Sequence, residues 1–281
     1  MEALPELEWR ARAAAHRERV RRFTGPHRER KRRGDAHPVL DFLFTYYSHR
    51  PARLEEWHPG PGVVLLGGAE YLGRPGYVAD AGGVRLDPST LPRLAPTARF
   101  VRTLLTATAA RPARLSCFGL HEWAMVYRSP TPRHAAVPLR LGAAGTDAVV
   151  EALPVHCTHH DAFRFFTPAA RPRNAVAPAR ADQAEYEQPG CLHATMDLYK
   201  WAYKLAPATP ADLVAECFEL AADVRELDMR ASPYDLAALG YAPVPIETAA
   251  GRAAYARAQA DFALRAAPLR ERLVDVCTAL L

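Results

Sequence analysis

Strand-forming sequence is scarce in this chain, and that scarcity bounds what it can fold into. "GVVLL" (62–66), "GYVAD" (76–80) and "GVRLD" (83–87) read as short strands between Gly-rich breaks, and Ala81-Gly82-Gly83 fits a hairpin joining the last two. "VPLRL" (137–141) reads as one more, and "VHCTHHDAFRFF" (155–166) as either a strand or an irregular segment. Helical patterns occupy most of the remainder. Residues 5–22 carry Leu7, Ala11, Ala14 and Ala15 on one side and Arg on the other, Thr24-Gly25-Pro26 interrupts them, and a short basic helix follows to Arg33. Further helices are expected over 37–48, 94–110, 117–128 and 145–153. After Glu187 the chain is helical, with Thr209-Pro210 as N-cap and N1 of a helix to about Arg230, and a last helix over 248–278. A mainly α-helical α+β fold with a small β-sheet follows, with Pro-rich surface connections at 129–138 and 168–179.

With 281 residues and 49% hydrophobic content, the chain can bury a sizeable core in one large domain or two small ones. Ala and Arg are heavily used and Ile246 is the only isoleucine, the mark of GC-rich coding. No apolar run of membrane-spanning length occurs, and the start lacks the apolar core of a secretory signal. The five cysteines are odd in number and without CxxC spacing, which suits reduced thiols in a cytoplasmic protein. The net charge of +5 is uneven: residues 10–33 hold eleven Arg or Lys against Glu18 and Glu29. Residues 1–34 are therefore expected to form a basic helical arm ahead of a single domain, 35–281. Such an arm can hold nucleic-acid phosphates by counterion release, or simply be a solvated face.

Four stretches carry chemistry. In "QPGCLHATMDLYKWAYKL" (188–205), His193, Asp197, Lys200 and Lys204 recur at i, i+4, i+7 and i+11, beside a stripe of Leu192, Met196, Tyr199 and Tyr203. The row either borders a pocket or is an ordinary solvated face. "HCTHHDAF" packs His156, His159, His160 and Asp161 near Cys157. One histidine there can act as acid–base group with Asp161 orienting it. A metal would need further ligands from His121, Glu122 or His193. In "FGLHEWAMVYR", Glu122 beside Trp123 has the look of a carboxylate raised by apolar packing, or of a surface partner for Arg128. In "HPVLDFLFTYYSHRP", Asp41 sits among apolar residues and needs partners.

Taken together, "HPVLDFLFTYYSHRP", "CFGLHEWAMVYR", "PLRLGAAGTDAVVE", "CTHHDAFRFFTPAARP", "QPGCLHATMDLYKWAYKL" and "ELDMRASPYDLAALGY" resemble actinobacterial proteins labelled 3-methyladenine DNA glycosylase, over about residues 5–275. The chain has no Leu-Pro-Gly-x-Gly hairpin with its following aspartate, so no catalytic residue carries over by motif. The resemblance implies hydrolysis of the N-glycosidic bond of an alkylated purine, with the base extruded between electron-rich rings and a carboxylate near the sugar. On that reading Asp197 is the expected carboxylate, His193 and His160 give acid–base help, and Glu122 and Asp161 are the other candidates. Trp123, Tyr127, Tyr199 and Tyr203 supply rings, Lys200 and Lys204 meet phosphate, DNA is the partner, and neither cofactor nor metal is required. The alternatives are a metal-dependent or acid–base hydrolase of a small molecule built on His156, His160, Asp161 and His193, and a non-catalytic nucleic-acid-binding module.

Overall fold

A computed structural model describes residues 1–131 and 136–281. It is 58% helical and 7% strand, so the chain is a mainly helical α+β protein. The strands are β1 (Glu2–Leu4), β2 (Val63–Leu66), β3 (Tyr77–Asp80) and β4 (Gly83–Leu86). The helices begin with α1 (Glu6–Arg33), α2 (Phe42–Tyr46), α3 (Pro51–Leu54), α4 (Ala95–Ala109), α5 (Leu120–Ala124) and α6 (Gly142–Ala152). They continue with α7 (His160–Phe163), α8 (Gln183–Tyr186), α9 (Leu192–Lys204), α10 (Ala211–Ala231) and α11 (Ala249–Ala279). The chain divides into two compact units. Unit 1 holds Met1–Arg102, Leu198–Glu219 and Leu269–Leu281, and unit 2 holds Thr103–Asp197 and Leu220–Pro268. No helix is long and apolar enough to cross a membrane among the described residues.

In unit 1 the sheet runs β1-β2-β4-β3. The β3–β4 hairpin forms as the sequence predicts, pairing Asp80 with Gly83 across a turn in which Gly82 has φ +74°. Gly83 is required for a second reason: a Cβ there would lie 2.5 Å from the Leu65 carbonyl oxygen. Strand β1 was not expected. Three residues give no alternation to read, and β1 is held by parallel pairing of Leu4 with Leu65. Trp9 closes this core, donating from Nε1 to the Leu66 carbonyl at 2.9 Å and meeting Tyr71 edge-on.

The interruption expected at Thr24-Gly25-Pro26 does not occur, and α1 runs unbroken for 28 residues. Pro26 removes one backbone donor, and side-chain bonds on either side hold the helix regardless. Arg19 meets Glu219 and Arg30 meets Asp41, while Thr24 and Arg28 both reach Glu55. Asp41 thus finds the partners that burial demands, with His27 and the His37 amide, each at 2.8 Å, beside Arg30. Gly34, at φ +76°, ends the helix by donating back to Arg30 and Lys31. Trp9, His16, Val20, Thr24 and His27 form its buried seam. Of the basic set, Arg17, Arg21, Lys31 and Arg32 have no ion pair among the described residues, whereas Arg10, Arg12, Arg19, Arg22, Arg28 and Arg30 each meet a carboxylate.

Several expected elements shrink. The helix foreseen over 37–48 is limited to α2, because Val39–Asp41 form turns. "VPLRL" reduces to a bridge between Leu139 and Tyr234. The surface connection expected over 129–138 lies partly outside the described residues. Thr209 does not cap α10; its hydroxyl is buried without a partner. In unit 2 the helix expected over 117–128 is only α5, since Phe118 (φ 50°), Gly119 (φ 74°) and Arg128 (φ 51°) are left-handed and cut it at both ends. Non-glycine residues in that region cost about 1–3 kcal/mol each and concentrate at functional sites.

Candidate functional site

Unit 2 buries a dense group of ionisable side chains. Helix α5 supplies His121 and Glu122, α10 supplies Arg225 and Asp228, and α9 supplies His193 and Asp197. The connection before α7 gives His159, and the residue after α8 gives Glu187. His121 Nε2 and Asp228 Oδ1 are 2.8 Å apart. Arg225 Nη1 donates to Glu122 Oε1 at 2.9 Å and to Asp228 Oδ2 at 3.3 Å. His159 Nε2 lies 3.1 Å from Glu187 Oε1 and 3.6 Å from Asp197 Oδ2 as an ion pair without hydrogen-bond geometry, and neither ring nitrogen has a hydrogen-bond partner among the described residues. The His193 ring stands between the two sets, its centroid 4.5 Å from that of His121 and 5.3 Å from that of His159.

Local structure fixes these positions. Gln188 Oε1 accepts from the Arg114 and Gly190 amides, at 2.8 and 2.7 Å, and so ties the start of α9. Gly190 is needed there, because a Cβ would lie 2.7 Å from the Arg114 carbonyl oxygen. Asn174 bonds both backbone groups of Cys157 and so holds the segment leading to His159. Gln183 donates to Glu187 Oε1 at 2.6 Å, and Arg111 donates to the Glu187 carbonyl at 2.9 Å.

Charge, more than shape, sets the chemistry of the cluster. Glu122, Glu187, Asp197 and Asp228 are 7, 1, 2 and 1% exposed, and the buried Arg225 meets two of them, Glu122 and Asp228. Four carboxylates against one guanidinium leave a strong pull on any proton or cation. Burial disfavours a charged His121, but Asp228 outweighs it and raises the imidazole well above its ordinary pKa. Burial works the same way on His159, and Glu187 and Asp197 overcome it, carrying the pKa up to about 10. Burial, seconded by the charge on His121, drives His193 the other way and keeps it neutral. Two sets of ligand atoms result, His121–His193–Asp228 and His159–Glu187–Asp197, each with its atoms within 4.8 Å of one another.

A cavity of ≈ 260 Å³ opens onto the first set only, with His121 and His193 in its wall beside His156, Cys117, Tyr255 and Gln259. None of the second set's residues lines it. Tyr255 Oη and Gln259 Oε1 are buried without a hydrogen bond among the described residues. Burial raises the pKa of Cys157 and Cys191, so neither of these two thiols is primed as a nucleophile.

Of the residues named from sequence, the structure brings His193 to the cavity and sets Asp197 behind it, 2% exposed and facing His159. Glu122 pairs with Arg225 instead of packing as an apolar carboxyl on Trp123, whose indole donates to the Ala231 carbonyl. His160 and Asp161 pair with each other and, through Asp161, with Arg164, and neither lines the cavity. Tyr127 is buried and donates to Glu151. Tyr199, Lys200, Tyr203 and Lys204 belong to unit 1. There the two tyrosines meet His49, and the two lysines lie over the Trp201 ring. Asp228, Glu187 and Arg225 were not anticipated. Asp228 left a signal, since it interrupts the core stripe Leu220, Val224, Ala231 of α10 with an acid. No protein-family model, curated protein or solved structure matches the chain.

Proposed function

We infer that unit 2 is a metal-dependent hydrolase site for a small polar molecule, with His121, His193 and Asp228 as ligands of a divalent first-row ion. The observation that carries this is the convergence of two imidazoles of the cavity wall, His121 and His193, with the buried Asp228 carboxylate, within an excess of buried carboxylate. A two-histidine, one-carboxylate donor set suits zinc or a similar ion, and an open side toward a cavity is the mark of a catalytic site in contrast to a closed one. The second set, closed and lacking cavity access, suits a structural ion or the protonated His159. When bound, the ion supplies a Lewis acid and an acidified water. Arg225 holds Asp228 from the far oxygen, as outer partners of metal ligands do. His156, exposed and in the cavity wall, is placed to carry protons to solvent. Tyr255 and Gln259 offer a substrate one hydroxyl and one carbonyl acceptor.

Base excision is the competing proposal for the same unit. It asks for a carboxylate open to the sugar and rings about the base. Asp197 is 2% exposed, and Trp123, Tyr127, Tyr199 and Tyr203 are not in the cavity wall. One assay separates the two: incubate the protein, before and after chelation, with small esters, amides and nucleosides and with methylated DNA. The metal reading expects hydrolysis of a small substrate that chelation abolishes, zinc restores and His193→Ala lacks. Purine release from DNA by chelated protein, lost in Asp197→Asn, would replace it with base excision.

A further inference from the structure

Unit 1 has a cavity of its own, ≈ 300 Å³, walled by a different chemistry. Three arginines line it. Arg53 is neutralised by Glu56 at 2.9 Å, whereas Arg74 and Arg93 meet no carboxylate among the described residues. The Arg74 fork is already oriented, since Nη1 donates to the Trp57 carbonyl at 3.2 Å and the guanidinium lies 3.9 Å over the Tyr71 ring. Three lining residues, His16, His58 and Tyr77, each hold a buried polar atom with no hydrogen-bond partner among the described residues, His16 Nδ1, His58 Nδ1 and Tyr77 Oη. Pro75, Pro207 and Val214 make an apolar wall, and Tyr203 lies flat on His49 with ring centroids 4.7 Å apart.

A cavity with two uncompensated guanidiniums, a spare hydroxyl and an apolar side is complementary to an anion carried on a small organic body. Guanidinium forks match phosphate and carboxylate oxygens, and a preset fork loses less entropy on binding. We propose that this cavity binds a small organic oxyanion, its phosphate or carboxylate held by Arg74 and Arg93, its apolar body against Pro75, Pro207 and the His49–Tyr203 pair. The Tyr77 hydroxyl, kept protonated by burial, is available as a further donor. The site is independent of the proposed metal, with which it shares no residue.

Isothermal titration of the full chain with phenyl phosphate, benzoate and benzyl alcohol tests it. At least one of the two anions should bind and the alcohol should not. Comparison of the anions then says whether phosphate or carboxylate is preferred. Arg93→Ala removes an exposed, unpaired side chain and should weaken binding roughly tenfold or more. Tyr77→Phe should weaken it by less. Absence of binding by both anions, equal binding of benzyl alcohol, or unchanged affinity in Arg93→Ala overturns the proposal.

Discussion

The two units bury histidines in opposite company, and the residue type therefore tells little until its neighbours are known. In unit 2 carboxylates outnumber guanidinium around His121 and His159, and both imidazoles hold their protons. Around His49 and His58 in unit 1 burial is unopposed. It lowers His49 to about 4 with help from Arg53, and His58 to about 3 with help from His16 and Arg74. One environment calls for a cation and the other for an anion. The difference arises from which charges the fold sets beside them, since His121 and His159 are the more deeply buried pair and still keep the charged form.

The largest effect should come from stripping unit 2 of a carboxylate. Asp228→Ala leaves His121 and Arg225 buried without their shared anion and should cost about 3–5 kcal/mol in urea unfolding. A loss below about 1 kcal/mol would mean that water or other groups already screen the cluster.

The pH dependence of stability should then separate the units. A raised histidine stabilises fully below its unfolded pKa near 6.5 and loses that contribution as pH climbs through the folded value, about 10 for His159. A lowered histidine does the reverse. His49 and His58 should withdraw stability as pH falls from about 6.5 toward their folded values of about 4 and 3. Thermal melts of the metal-free protein should flatten on the alkaline side in Glu187→Gln and on the acid side in His58→Gln. Identical profiles for both variants and the parent would break the contrast.

A smaller cost tests the frame instead of the charge. In Gly190→Ala the new Cβ meets the Arg114 carbonyl oxygen, and repacking should cost about 1–3 kcal/mol by urea unfolding. Smallest of all, Arg93→Ala should stay within about 0.5 kcal/mol of the parent in the same assay, because its exposed guanidinium bonds nothing in unit 1. A larger loss would assign Arg93 to the fold instead of to a ligand.

Much of the architecture was legible in residue order. The hairpin was readable because Ala81-Gly82-Gly83 separates two short strands, and α11 because its Ala-rich run carries no proline before Pro268. Pro26 misled, since helix continuity there depends on partners such as Glu219 and Asp41, far along the chain. The site was legible in part. His193 stood in a polar row beside an apolar stripe, His121 was a possible further ligand, and "HCTHHDAF" is dense in histidine, but which of its histidines turns inward depends on the Asn174 clamp, seventeen residues beyond Cys157. Asp228 left only a break in an apolar stripe and Glu187 no local signal, and the meaning of both comes from contacts with His121 and His159 that local pattern does not encode.

Metal content, read by mass spectrometry after dialysis against zinc and then against metal-free buffer, bears most directly on the central claim. The account predicts at least about one tightly held ion per chain in the parent, and its loss in His193→Ala, which trims a cavity-wall ligand without unpairing a buried charge. A parent that retains none, or a His193→Ala variant that retains as much, would contradict it.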